Sequence, residues 1–300
     1  MSKYKTLTPA SLGLIFALAS AALFAIRPIF VKLVYAEGVD PTTLIAFRML
    51  FSAPIYLCLL AYFLTNKELR SRLNLVVILK IGGTGLLGYY AASFFDLLGL
   101  QTLSAQLARM IIYTYPTFVV LFGAILFRHV ITKNIFIALV ITYLGIAFIF
   151  IHDFKVMGDD VVIGSLFIIA SAISFSFYLL FAKPLINQVG TRLFTSLALL
   201  AASLGVFIHF MINRSIADIE INNQALVLIL IIAIFCTVIP TFFTTAAVAR
   251  IGADKTGIVA TVGPAITSIA AVFILSESFT IYHLIGITVT IYGVYILQKK

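Results

Sequence analysis

Residues 13–32 read GLIFALASAALFAIRPIFVK, and residues 164–183 read GSLFIIASAISFSFYLLFAK. The leading glycine, three phenylalanines, the Ala-Ser-Ala triplet and the final lysine coincide at an offset of 151 residues. Each stretch is apolar and reaches the length of about 20 residues that a helix needs to cross a bilayer. The chain therefore carries two related membrane segments, one in each half.

A second set of matches links later parts of the two halves. At an offset of 148, the motif Phe94-Phe95, Pro116, Thr132, Ile137, Thr142 and Gly145 align with Phe242-Phe243, Pro264, Thr280, Ile285, Thr290 and Gly293. Apolar segments often match by chance, but hydrophobicity alone does not explain paired prolines followed by threonine and glycine at equal distances. We interpret the chain as an internal repeat; the alternative is two unrelated sets of apolar helices.

The composition is that of a membrane protein. Hydrophobic residues make up 62% of the chain, charged residues 10%, and the mean hydropathy is +1.16, whereas soluble domains average roughly 45–50% apolar and about 25% charged. The pattern predicts ten spanning helices, at residues 10–34, 42–64, 75–99, 103–127, 132–151, 161–186, 192–213, 224–249, 255–276 and 280–298. The loops between them leave no room for a separate soluble domain.

Five spans per half is an odd number, so the second half must be inverted relative to the first. We place the two halves at residues 1–156 and 157–300. Inverted repeats around a midplane site are a common build of secondary transporters. We therefore predict an all-α polytopic membrane protein, with two inverted five-helix repeats around a central cavity and transport by alternating access.

The distribution of charge predicts the orientation. With the N-terminus in the cytoplasm, most lysines and arginines fall in inner loops. The outer ends then carry Lys32, Lys155 and Arg214 together with Glu37, Asp40, Asp153, Asp159, Asp160, Asp218, Glu220 and Glu277. This bias places both termini in the cytoplasm. The net charge of +9 thus reflects membrane topology rather than a surface for nucleic acid.

Three charges lie neither in loops nor at the ends of the predicted spans: Arg27, Arg48 and Arg109, with Asp96 as the one acid nearby. Such charges cost at least ~2.5–3.5 kcal/mol in a bilayer and usually face the bundle interior. They come from four different helices but fall in one layer of the outer leaflet. Together with polar residues on the same helix faces, they give our candidate substrate-binding set: Arg27, Arg48, Tyr89, Ser93, Asp96, Arg109, Tyr113 and Tyr178, the last aligned with Arg27 in the repeat.

Three roles are open for this charged layer. Its net positive charge would attract a substrate carboxylate or phosphate. Alternatively, Asp96 pairs with Arg48 or Arg109 in a structural clamp, while the other arginines extend outward. Proton coupling through Asp96 is a third role, which the neighbouring positive charges disfavour because they keep an acid ionised.

Other motif matches in the sequence do not indicate a cofactor or metal site. Residues 83–88 read GTGLLG and fit a dinucleotide fingerprint, but they lie inside an apolar helix without the preceding strand, so close helix packing explains them better. The four histidines, His129, His152, His209 and His283, are scattered over loops and span ends. We therefore expect no metal, no cofactor and no enzymatic activity.

Several short motifs resemble the EamA branch of the drug/metabolite transporter superfamily: RPIFVK at 27–32, GVD at 38–40, RML at 48–50, DLLGLQ at 96–101 and YPT at 115–117. The resemblance implies alternating access through a cavity formed by helices one to four and six to nine, with export of small metabolites, often amino acids, from bacteria. The family frequently has a glutamate closing the fourth and ninth spans. Glu277 fills the second position, but Arg128-His129 replace the first.

We therefore expect a secondary transporter or facilitator, an exporter of amino acids or amino-acid-like compounds, in the bacterial cytoplasmic (inner) membrane. Pro116 and Pro264 are the expected hinge points. The fifth helix carries no internal charge, so the protein is expected to be a monomer or a homodimer through the fifth and tenth helices, with membrane lipids around it. The alternatives are a flippase or binder of an anionic amphiphile and a non-transporting membrane scaffold.

Overall fold

A computed structural model describes residues 8–128, 133–215, 219 and 221–298, and the regular structure of this part is all helical. The helices form ten apolar spans: span 1 (Pro9–Ala36), span 2 (Pro41–Leu64), span 3 (Leu75–Thr102), span 4 (Ala105–Phe127), span 5 (Lys133–Met157), span 6 (Asp160–Val189), span 7 (Thr191–Asn213), span 8 (Asn223–Gly252), span 9 (253–275) and span 10 (Ile281–Gln298). Eight of them are long and apolar enough to cross a membrane, and the helices Gly263–Leu275 and Ile281–Ile296 are shorter. The predicted all-α fold is confirmed.

The ends of the spans follow local capping chemistry. The Asp40 carboxylate accepts hydrogen bonds from the backbone N–H groups of Thr42 and Thr43 at the start of span 2. Asn74 and Asn222 cap spans 3 and 8 in the same way. Each side chain satisfies a backbone donor that the first helical turn leaves unpaired. The largest difference from the predicted limits is in span 5, which continues to residue 157 instead of ending at 151.

The two halves share the same backbone irregularities. Span 3 contains a π-helical segment at Leu86–Ala91, and span 8 contains one at Ile234–Val238, which starts 148 residues later. The same offset relates the left-handed residues that end spans 4 and 9, Arg128 with a φ of 57° and Ser276 with a φ of 55°. The offset is that of the second set of sequence matches, so the repeat extends to the details of the backbone.

Prolines account for some of the helix breaks and leave other helices intact. Pro28, Pro116 and Pro264 lie in the first turn after an interruption, in spans 1, 4 and 9. Pro54 and Pro184 lie inside helices that continue without interruption. The break in span 1 has no counterpart in span 6, where no proline occupies the position equivalent to Pro28.

Carbonyl groups near these irregularities receive hydrogen bonds from hydroxyls of the opposite half. Pro264 has no N–H to bond the Ala260 carbonyl oxygen, and the Tyr113 hydroxyl donates to that oxygen at 2.9 Å. Similar bonds join Thr267 Oγ1 to the Ala25 oxygen at 2.6 Å, Ser174 Oγ to Leu87 at 2.8 Å, and Ser176 Oγ to Tyr115 at 2.9 Å. The halves therefore complete one another's backbone bonding near the helix breaks.

Spans 5 and 10 pack against each other at the side of the bundle, through small residues. A Cβ added to Gly145 would lie 2.6 Å from the Gly286 carbonyl oxygen, and one added to Gly293 would lie 2.9 Å from the Ala138 oxygen. These glycines let the two helices approach closely within one chain. Outward faces of the pair remain exposed, including Tyr292 at 58%, and the homodimer through these helices stays a prediction.

Gly145→Ala should lower the unfolding temperature in detergent, because the new methyl group overlaps span 10 and overpacking costs about 1–3 kcal/mol. Gly83→Ala is the matched control, since a Cβ there meets nothing within 4 Å. Unfolding can be followed by reaction of a thiol dye with the buried Cys236, in a Cys58→Ser background that removes the exposed thiol. Equal unfolding temperatures for the two glycine variants would contradict the close packing of spans 5 and 10.

Candidate functional site

An ion pair joins span 1 to span 3. The guanidinium of Arg27 contacts the carboxylate of Asp96, and the two side chains are 21% and 10% exposed. Arg27 lies directly after the break in span 1, so the interruption helps to turn its side chain towards span 3. In the clamp considered as one alternative from the sequence, Asp96 pairs with Arg48 or Arg109; the partner in the structure is Arg27 instead.

Arg48 is 2% exposed, and no carboxylate within the described ranges lies within ion-pairing distance of it. Its Nε is buried without a hydrogen-bond acceptor. Arg27 is near enough to repel it, and Asp96 near enough to attract it. Cys236, in the π-helical segment of span 8, lies close enough to the Arg27 and Arg48 guanidiniums for their charges to act on its thiol. The group of Arg27, Arg48 and Asp96 thus carries net positive charge beside the second half.

Arg109 has different neighbours from the other three charges. Its guanidinium carbon is 5.7 Å from the centre of the Tyr113 ring, a cation–π distance. Its Nε is also buried without an acceptor. Gly263, at the break in span 9, provides the space, because a Cβ there would lie 2.8 Å from the Tyr113 hydroxyl. The four charges predicted to form one layer thus fall into two groups: Arg27, Arg48 and Asp96 form one, and Arg109 lies beside Tyr113 in the other.

A row of aromatic rings connects Arg109 to span 3. The ring centroids of Tyr113 and Tyr115 are 6.4 Å apart, those of Tyr115 and Phe175 are 5.3 Å apart, and those of Phe175 and Tyr178 are 5.5 Å apart. Tyr178 and Tyr89 follow at 5.1 Å, with their hydroxyl oxygens 2.9 Å apart. The structure therefore brings together three of the predicted tyrosines, which come from both halves.

The sequence missed two members of this row, Tyr115 and Phe175. Tyr115 belongs to the Tyr-Pro-Thr motif, and Phe175 is three residues before Tyr178 on the same helix face, so both signals were available. Ser93 lies half-buried between Tyr89 and Asp96 in span 3, and its hydroxyl makes no hydrogen bond within the part that the structure describes. Cationic groups flanked by aromatic rings can bind an anion together with an apolar or cationic group.

Glu277 fastens the two halves at one end of the bundle. Its Oε1 accepts a hydrogen bond from the Ala105 N–H at 2.6 Å, and its Oε2 accepts one from the Gln106 N–H at 3.3 Å, so it caps span 4. The Gln106 side-chain amide donates to the Ser278 carbonyl at 3.1 Å. We call this the outer end, after the predicted orientation. The family resemblance drew attention to Glu277, but its capping role was not foreseen; the other position holds Arg128, and His129 lies outside the described residues.

Two further polar contacts cross between the halves at the outer end. Arg214 pairs with Asp40 at 3.2 Å, and the Asn222 side-chain amide donates to the Glu37 carboxylate at 2.7 Å. Burial opposes ionisation of Asp40, but hydrogen bonds from Thr43 and the charge of Arg214 outweigh it and lower the Asp40 pKa. This carboxylate is therefore held ionised, which keeps the contact in place.

The histidines are less scattered than the sequence suggested. His152 and His283 meet at the outer end of spans 5 and 10, where both contact the Asp153 carboxylate. His209 lies apart, with its Nδ1 2.7 Å from the Tyr90 hydroxyl. A cavity of about 400 Å³ adjoins the His152 and His283 cluster and is also lined by Lys32.

Comparison with known proteins gives a consistent answer. The model of the EamA-like transporter family matches the chain twice, over residues 11–151 and 162–298. The uncharacterised transporter YcbK of Bacillus subtilis (strain 168) is 25% identical over 285 residues, which cover 92% of this chain and 89% of that protein. An uncharacterised transporter of Clostridium kluyveri is 24% identical over 291 residues, or 94% and 91%. A solved crystal structure with 15% identity has a TM-score of 0.64 and covers 96% of this chain and 97% of its own, which shows a shared fold.

Asp96→Asn should lower the free energy of unfolding by about 3 kcal/mol, because it removes the charge that pairs with the partly buried Arg27. Arg48→Met should leave stability unchanged or raise it, because it replaces a buried charge that has no carboxylate partner. Thermal unfolding of the purified variants in detergent measures both changes. If Arg48→Met were as destabilising as Asp96→Asn, Arg48 would be a residue that stabilises the folded protein.

Proposed function

Because this chain belongs to the EamA-like transporter family, we propose that it exports amino acids or amino-acid-like compounds across the bacterial cytoplasmic membrane by alternating access. The chain is a multi-pass membrane transporter and not an enzyme. The observation that carries the finer proposal is Arg48, a buried guanidinium with no carboxylate partner among the described residues.

A buried guanidinium without a carboxylate partner among the described residues favours an anionic substrate. Burying a charge costs free energy, and a substrate carboxylate would offset that cost with charge-assisted hydrogen bonds, which can be bidentate with arginine. Asp96 already pairs with Arg27, so a substrate carboxylate would meet little competition at Arg48. A carboxylate is common to all amino acids.

The aromatic row suits the rest of such a substrate. Tyr89 and Tyr178 present ring faces and hydroxyls from spans 3 and 6, one from each half. An aromatic face attracts an ammonium group and packs against an apolar side chain. The two kinds of group, cationic and aromatic, thus match the two kinds of group in an amino acid.

Alternating access is supported by the placement of the irregular segments. Spans 4 and 9 are broken at equivalent positions next to Pro116 and Pro264, our hinge candidates. Spans 3 and 8 carry equivalent π-helical segments, where helices readily bend. The polar contacts at the outer end, including that of Glu277, hold that end closed. A carrier of this build would open to the other side by rocking one half against the other.

The test uses vesicles that contain the purified protein in their membrane and unlabelled amino acid inside. Uptake of labelled amino acids into these vesicles is measured. Arg48→Met should lower transport about 10–100-fold, because a hydrogen bond to a charged group contributes about 1.5–3 kcal/mol. The control is Arg192→Gln, which removes an exposed arginine at the start of span 7 and should transport like wild type.

Unchanged transport by Arg48→Met would overturn the assignment of Arg48. Absence of flux across an amino-acid panel, together with movement of labelled anionic lipid between leaflets, would favour the flippase alternative. Absence of both amino-acid transport and lipid movement would favour the scaffold alternative.

Glu277→Ala should open the outer end more readily, because it removes the cap of span 4. We expect faster labelling of a cysteine introduced by Ser93→Cys with a membrane-impermeant thiol reagent, by about 5-fold if the lost cap contributes ~1 kcal/mol. Glu68→Ala, in the exposed short helix Lys67–Ser71 between spans 2 and 3, is the control and should not change the rate. Equal rates in the two variants would contradict a closing role for Glu277.

A further inference from the structure

We propose that His152, Asp153 and His283 form a binding site for a divalent transition-metal ion of the zinc class at the outer end. The His152 Nδ1 lies 3.1 Å from the Asp153 Oδ1, and the His283 Nε2 lies 3.3 Å from the same oxygen. All three ligand atoms lie within 4.8 Å of one another. This inference concerns a site separate from the one assigned to substrate.

The spacing fits metal coordination. Zinc binds imidazole nitrogen at about 2.0–2.1 Å and carboxylate oxygen at about 2.0–2.2 Å, so two ligands of a tetrahedral site lie roughly 3.3 Å apart. The two measured separations from Asp153 are close to that value, so small movements would complete the site. Two imidazoles and one carboxylate are a donor set found in zinc sites that keep a fourth position for water.

Hydrogen bonds outside the three ligands hold them in place. Ser104 Oγ donates to the Asp153 Oδ2 at 2.9 Å, which leaves Oδ1 to face the histidines. The His283 Nδ1 lies 2.9 Å from the Thr280 hydroxyl oxygen and 3.3 Å from the Thr280 backbone nitrogen. Such outer contacts orient ligands in established metal sites.

The surroundings provide room and a favourable charge. The adjoining cavity of about 400 Å³ is large enough for water molecules that would fill the remaining coordination positions. Two carboxylates line it, Asp153 and Glu277, against one ammonium, Lys32. With neutral histidines the lining is negative, which favours a cation.

The ion would join parts of both halves. His152 and Asp153 end span 5, His283 begins span 10, and Ser104 caps span 4. A bound metal would therefore strengthen the contact between the halves at the outer end, next to the Glu277 cap.

The test uses the full chain without a polyhistidine tag, purified in detergent and treated with chelator. Titration with Zn²⁺ by calorimetry should show one ion bound per chain, and titration with Co²⁺ should give the visible absorption of a four-coordinate site. His152→Ala and His283→Ala should each abolish both signals. His209→Ala is the matched control, because His209 lies elsewhere on the outer end, and should bind like wild type.

His283 is 1% exposed, so its variant could fail to fold; the half-buried His152 keeps the test decisive. No Co²⁺ absorption from wild type would overturn the proposal. Binding by His152→Ala equal to that of wild type would also overturn it, as would equal losses in His152→Ala and His209→Ala.

Discussion

A break in a membrane helix leaves a backbone carbonyl without its usual donor from the next turn, and in this protein the opposite half supplies a hydroxyl in its place. Tyr113 bonds the Ala260 carbonyl that Pro264 leaves free, and Thr267 bonds Ala25 beside the break in span 1. An unsatisfied carbonyl in a bilayer costs several kcal/mol. The breaks are thus stable only while the halves stay together, so the two repeats form a single unit.

The interface between the halves also holds the charged residues. Arg27 follows one of the breaks, and its pairing with Asp96 leaves Arg48 without a carboxylate among the described residues. A fold selected for stability alone would not retain a buried charge of this kind, because an apolar residue of similar size is usually as stable or more so. Arg48 therefore has the property expected of a residue kept for binding.

The sequence was most informative where physical chemistry acts along a single helix. Hydropathy located the ten spans, and the offsets of 151 and 148 located the repeat, because both depend on local composition and spacing. It was less informative about contacts between helices. The depths of Arg48 and Arg109 made them plausible partners of Asp96, but depth does not specify which way each helix face is turned, and the partner is Arg27.

The sequence also failed to predict that His152 and His283 meet, because this too is a contact between helices. His152 and His283 are separated by most of the second half of the chain, and they meet only because spans 5 and 10 pack through Gly145 and Gly286. No pattern near either residue indicates that packing. Gly145 was visible in the repeat through its match with Gly293, but whether it faced a second copy or span 10 of the same chain was not.

Tyr113 contacts both a charged side chain inside the bundle, Arg109, and the backbone of span 9. Its ring lies beneath Arg109, and its hydroxyl holds the carbonyl at the span 9 break. Any rearrangement of that break changes the hydrogen bond and hence the position of the ring. By thermodynamic reciprocity, any contact that favours one position of Arg109 must favour the matching shape of span 9 by the same free energy. One phenol group thus links the position of Arg109 to the conformation of a helix that alternating access would require to move.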